Sequence, residues 1–250
     1  MRFFMFVFCL LFGAVLASPA REYEIEKRIA GGNAARPAQF PFQVGLSTTK
    51  ETKEGMQYNS WCGGKKCLKS FEFPGRIVLT VPKENLFVYE NYIPQYIRND
   101  IALAKLPRRV PLNEYIQTVN LPKRNQLSES FIKQVGWISG WGLTSDEGGT
   151  PKELQYTRRW ILPHEYCDYE YGGFYVKETQ VCIDGSHGMG SCRGDSGGPL
   201  TVEEEDGTRT LVGATSYGRG TCGRGNPSVY TRVSAFMDWI VEKTGIQMRE

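Results

Sequence analysis

Histidine is nearly missing from this chain: there are two in 250 residues, His164 and His187, and none before position 164. Any chemistry that needs an imidazole base has only those two sources. Long apolar runs are also scarce. Residues 3–16 (FFMFVFCLLFGAVL) form the one extended run, and its fourteen residues are too few to cross a bilayer. Charge of one sign is lacking too. The formal net charge is +3, and Arg2, Arg21, Lys27 and Arg28 exceed Glu22, Glu24 and Glu26 by one, leaving about +2 beyond residue 28. That balance gives no basis for nucleic-acid binding. The basic pair Arg158–Arg159 reads as a solvated strand face. No Asn-x-Ser/Thr glycosylation site is present, because Asn226 is followed by proline. Strands do not alternate with long helices, which excludes a doubly wound α/β fold, and there is no internal repeat.

What is present begins with a leader. The apolar run follows Arg2 and leads into Ala17-Ser-Pro-Ala20, the pattern of a signal peptide over residues 1–18. Residues 19–28, ending in REYEIEKR, are charged and lack a core pattern, and then switch abruptly to Ile29-Ala-Gly-Gly32. A basic residue before such a switch reads either as a cleavage point behind a pro-segment or as an exposed arm that is never cut. Residues 29–250 form the remaining unit. The expected location is extracellular, where disulfides persist. Of seven cysteines, Cys9 lies in the leader; the other six (62, 67, 167, 182, 192 and 222) allow 15 pairings.

From Pro41 onward short β signals are separated by Gly, Pro, Asn and Asp clusters. The expected strands cover Phe42–Leu46, Ile77–Val81, Ile101–Leu106, Val135–Ser139, Thr210–Ala214 and Val229–Val233. One helix is expected at the end, with Ser234 as N-cap, Phe236, Trp239 and Ile240 on one face, and Gly245 as the stop. An all-β chain of this length suits two small barrels or one large sandwich.

The run Cys192-Arg-Gly-Asp-Ser-Gly-Gly-Pro-Leu200 surrounds Ser196 with small residues that let a carbonyl approach the main chain. The N–H groups of Gly194 and Ser196 can then serve one developing oxyanion. Gly194-x-Ser196-x-Gly198 also matches the nucleophile elbow of α/β-hydrolases, but that fold needs a histidine after the serine, and none follows His187.

Six motifs occur in the order found in chymotrypsin-like serine proteases. They are Ile29-Ala-Gly-Gly, Cys62-Gly-Gly, Asn99-Asp-Ile-Ala-Leu103, Ser139-Gly-Trp-Gly142, Gly194-Asp-Ser-Gly-Gly-Pro199 and Tyr230-Thr-Arg-Val-Ser234. The chain resembles that family over residues 29–246, and insect digestive or haemolymph enzymes in particular. The resemblance implies two packed antiparallel β-barrels with a C-terminal helix, the first barrel shortened here. It implies Ser196 as nucleophile, Asp100 as the carboxylate that orients an imidazole, and Gly194 and Ser196 as the oxyanion hole. It further implies a zymogen cut after Arg28, with the new amino group of Ile29 received by Asp195. Cys167–Cys182 and Cys192–Cys222 are the implied bridges. The specificity pocket should have Gly190 at its base and Ser216, Gly218 and Ser228 along its walls. With no acid at Gly190, an apolar or small side chain is expected to enter it.

The chain departs from the family at the base. Where the family carries Thr-Ala-Ala-His-Cys, this chain runs Cys62-Gly-Gly-Lys-Lys-Cys-Leu-Lys-Ser70 and on into Phe71. The loss falls between Gly64 and Phe71, leaving Cys62 without its usual partner; a Cys62–Cys67 bridge would be strained. His187 is expected behind the pocket and His164 on the outer face of the second barrel, neither within reach of Ser196. They make no metal-ligand set, and no cofactor is expected. Three readings follow: a protease form from which one segment has been lost, a pseudoprotease that binds peptides, inhibitors or active relatives, or hydrolysis with His187 recruited. The expected partners are protein or peptide substrates, protease inhibitors and an activating protease. The chain is expected to be monomeric, without membrane or nucleic-acid contacts.

Overall fold

The computed structural model of the chain describes residues 29–45, 48–51, 57–60, 77–173 and 176–250. The expected signal peptide, the pro-segment, Arg28, Cys62, Cys67 and the 64–71 stretch lie outside the described residues. In chain order the strands are β1 (Asn33–Ala34), β2 (Thr48–Glu51), β3 (Gln57–Ser60), β4 (Leu86–Val88), β5 (Ala102–Ala104), β6 (Val135–Gly140) and β7 (Gln155–Trp160). After helix α1 (His164–Glu170) come β8 (Gln180–Ile183), β9 (Pro199–Glu203), β10 (Arg209–Gly218) and β11 (Ser228–Arg232), then the C-terminal helix α2 (Met237–Thr244). The architecture is mostly antiparallel β with a C-terminal helix, as expected.

The second half is one continuous sheet in the order β1-β7-β6-β9-β10-β11-β8. Its interior is built from Ile138, Ile161, Val181, Ile183, Leu200, Val202, Val212 and Tyr230. Ile29 joins that cluster at 1% exposure, so the start of the described chain is sunk into the second half. Ten-residue β10 slips register between Leu211 and Gly213 and again between Thr215 and Tyr217. Such bulges bend a strand and re-aim its side chains, and the second one sits beside the site described below.

The first half differs from expectation. Residues 42–45 carry no strand, and Gln43 turns back with its N–H on the Phe40 carbonyl. Residues 77–81 join no ladder among the described residues, and Val78 is 67% exposed. The expected Ile101–Leu106 strand shrinks to β5, which pairs only with β4 among the described residues. Ile101 and Leu103 nevertheless bury against Phe236, Met237, Trp239 and Ile240, so α2 anchors the first half to the second. Ser234 is not the N-cap. It lies in a 3₁₀ turn (Val233–Phe236) that leads into α2, where its side chain is buried. Gly245 does stop the helix, at φ 70° with its N–H on the Val241 carbonyl.

Candidate active site

The turn that carries Ser196 is held from two sides. Gly197 N–H donates to the Thr215 carbonyl at 2.5 Å, and Thr215 N–H returns to the Gly198 carbonyl at 2.8 Å. Gly194 (φ 100°) and Gly197 (φ 74°) supply the left-handed backbone the turn needs. Ser196 is exposed. Among the described residues neither the Gly194 nor the Ser196 N–H has a backbone acceptor. Two free N–H groups on one tight turn can donate to a single oxygen.

Beneath this turn lies Asp195, 2% exposed. Its carboxylate accepts from Gly142 N–H at 2.8 Å and from Cys192 N–H at 2.9 Å. A side chain at Gly140 or Gly142 would collide with that carboxylate. The Ser139-Gly-Trp-Gly142 motif thereby acquires a physical reason: its glycines leave the space that Asp195 fills. Burial pushes the Asp195 carboxyl up to about 6, against the opposing pull of the two N–H groups.

Asp100 comes to the same strand from the first half. Ser216 Oγ donates to Asp100 Oδ2 at 2.7 Å, and Thr231 Oγ1 donates to the Asp100 carbonyl at 2.7 Å. The carboxylate is partly buried, which raises its pKa, and the Ser216 hydroxyl lowers it again. Consecutive residues of β10 therefore hold both groups, Thr215 the serine turn and Ser216 the aspartate.

Of the expected pocket residues, Gly190 and Ser228 come together. A side chain at Gly190 would meet Ser228 Oγ at 2.9 Å, so these two face each other and bring no charge. Gly190 N–H also binds the Ala30 carbonyl at 3.1 Å, which ties the pocket base to the segment after Ile29. Gly218 borders open space. The Cys167–Cys182 and Cys192–Cys222 disulfides are both present. Arg159 is no solvated residue: it turns inward, forms an ion pair with Asp184, and donates to the Ser186 carbonyl at 3.0 Å. It so braces the loop leading to Gly190. Arg158 lies over the Trp137 ring, 5.0 Å from its centroid.

Several contributors were not anticipated from the sequence. Tyr171 packs edge-on against Tyr217 (centroids 5.5 Å apart) and donates to the Pro227 carbonyl at 2.7 Å; burial pushes its phenol up. Gln180 reaches the Tyr217 hydroxyl at 3.4 Å and the Ile97 carbonyl at 3.3 Å. The Asp146 carboxylate accepts from Cys222 N–H at 2.7 Å and Gly223 N–H at 3.1 Å. Only the last had a local signal, an Asp in a turn-rich segment.

Neither histidine joins this constellation. His187 is exposed on the Ser186–Gly188 turn at φ 62°, packed beside the Cys222–Arg224 turn. His164 opens α1, with its Nε2 buried. Among the described residues no hydrogen bond links either one to Ser196 or Asp100, and no group of three metal-ligating side chains exists.

Comparison with known proteins fits this geometry. The trypsin family model matches residues 74–240. The chain belongs to the trypsin family. It is 30% identical over 269 aligned residues to a collagenase of Hypoderma lineatum, covering 96% of this chain and 98% of that one. It is also 30% identical to Bos taurus chymotrypsin-C (96% of this chain, 97% of that one) and 37% identical over 66% of this chain to the Drosophila melanogaster Spaetzle-processing enzyme, of which 43% is covered. The solved structure of HL collagenase superposes with a TM-score of 0.71 at 28% identity, over 88% of this chain and all of that one. This trypsin-family chain accordingly has the trypsin-like fold, and protein substrates are what its family implies.

Proposed function

We propose that the chain is a secreted serine endopeptidase scaffold, made as a zymogen cut after Arg28, whose acyl-transfer site lacks its base. Ser196 is the nucleophile, Gly194 and Ser196 form the oxyanion hole, and Asp100 is the orienting carboxylate. Gly190, Ser216, Gly218 and Ser228 bound a pocket for an apolar or small side chain. The observation that carries this reading is the Asp100–Ser216 hydrogen bond. It fixes a partly buried carboxylate on the residue next to the one that holds the serine turn, and no histidine of the chain meets it. Two further facts support a missing segment. The family match begins only at residue 74, past the 64–71 stretch. The alignment with the Hypoderma collagenase, 269 positions, is longer than the 250-residue chain, so that relative carries residues without a counterpart here.

Without an imidazole, Ser196 keeps an ordinary hydroxyl. The site retains roughly 10³–10⁴-fold catalysis over water from the oxyanion hole and binding. The loss against a complete triad is about 10⁶ in kcat, or ~8 kcal/mol of transition-state stabilisation. No helix among the described residues is long and apolar enough to cross a membrane.

The test measures peptide hydrolysis by the cut chain beside chymotrypsin-C. A kcat about 10⁶-fold lower that rises on adding free imidazole supports the reading. Turnover within the ordinary protease range, 1–10³ s⁻¹, refutes the impairment. The ordered serine turn favours a second reading, a pseudoprotease that binds peptides, inhibitors or active relatives. Stoichiometric peptide binding with no imidazole response would select it.

A further inference from the structure

Two arginines lie beside residues assigned to the site, one at the oxyanion hole and one at the pocket wall. Arg193 directly precedes Gly194, and Arg219 directly follows Gly218. Both are exposed, yet both are anchored. Arg193 donates to the Asp146 carbonyl at 3.2 Å, and Arg219 donates to the Glu170 carbonyl at the end of α1. These acceptors are backbone oxygens, and among the described residues neither guanidinium forms an ion pair with a carboxylate. A guanidinium has five N–H donors, and each of these uses one within the described residues.

The Asp146 and Asp168 carboxylates are already engaged. Asp146 feels the charge of Arg193, but its oxygens hold Cys222 N–H, Gly223 N–H and the Thr221 hydroxyl. Asp168 accepts from Val176 N–H at 3.1 Å. Both guanidiniums are therefore oriented by backbone carbonyls and keep donors for a further acceptor. At the base, Gly190 and Ser228 are uncharged, so the charge selectivity of the cleft resides with these arginines.

We propose that this cleft selects peptide segments in which the residue entering the Gly190 pocket is flanked by aspartate or glutamate. The proposal rests on the reading of the cleft as a peptide-binding site and names its substrate class. An acidic flanking residue meets a guanidinium already held in place, so less side-chain freedom is lost when the pair forms.

The experiment uses the full chain, cut after Arg28 and carrying Ser196→Ala so that bound peptide persists. Two fluorescent peptides share one small apolar residue and differ only in Asp/Glu or Asn/Gln flanks. Anisotropy at low salt should show the acidic peptide binding about three- to tenfold tighter, as expected for two exposed ion pairs. That preference should shrink in 0.5 M salt, as screening requires. Arg193→Gln with Arg219→Gln should abolish it, and the corresponding lysine variants should keep it. Equal affinity for the two peptides overturns the acidic preference while leaving the cleft as a peptide site. Binding of neither peptide overturns both. A preference that survives the double glutamine variant also overturns the proposal, because it places the selectivity elsewhere.

Discussion

The two halves of the molecule solve the same problem with unequal means. Between residues 135 and 232 strands β6–β11 interlock in one sheet, and the large side chains inside are almost fully covered. Between residues 77 and 116 the described sheet is one pair of three-residue strands, and Val78, Val88, Leu112 and Tyr115 stand more than half exposed. The first half is ordered chiefly by what it leans on. Phe87, Ile101 and Leu103 pack against α2 and β10, and Asp100 is held by Ser216 and Thr231. A sheet with its own core can carry a site; a two-stranded pair can do so only while it stays docked to a neighbour.

That contrast can be broken most directly at the joint. Ile240 is fully buried in the cluster that α2 shares with β5. Ile240→Ala should cost about 2–5 kcal/mol in urea unfolding. It should release the first half before the second, seen as early hydrogen exchange at residues 101–104. Next in size is the Cys167–Cys182 bridge inside the second half, whose cysteines are 15 residues apart. Replacing both cysteines by serine should remove about 3 kcal/mol without that selective release.

A pH series isolates the second half further. The Asp195 carboxyl is raised to about 6 in the uncut fold, from 3.8 unfolded. The native state therefore binds this proton more tightly, so its stabilising share is complete below pH 3.8 and is lost as pH rises through 6. The difference between the parent chain and Asp195→Asn should change by about 2–3 kcal/mol across that window. A thermal melt series at pH 4, 5, 6 and 7 measures it, and cleavage behind Arg28 should flatten the slope by supplying a cation. The smallest effect lies on the exposed side of β4. Val88→Thr should move stability by no more than about 0.5 kcal/mol in the same unfolding assay.

The strands were legible where apolar residues are consecutive, as in β6, β10 and β11. β7 and β9 were not, because their buried faces include Gln155, Thr157 and Thr201, which read as surface in a linear pattern. The site region was legible where motif residues are themselves the ones brought together, as with the two bridges. It was opaque where a residue acts by meeting a distant one. Nothing local in Tyr171 announces Tyr217, and nothing in Arg159 announces Asp184.

Thr215 and Ser216 share one peptide plane. Through Thr215 that plane is bonded to the serine turn, and through Ser216 to the carboxylate from the other half. A single isotope-labelled amide at Ser216 is thus a listening post for the whole cleft. Its resonance will shift whether the disturbance starts with a peptide at Ser196 or with undocking of the first half, and an accompanying shift at Thr231, whose hydroxyl holds Asp100, will mark undocking.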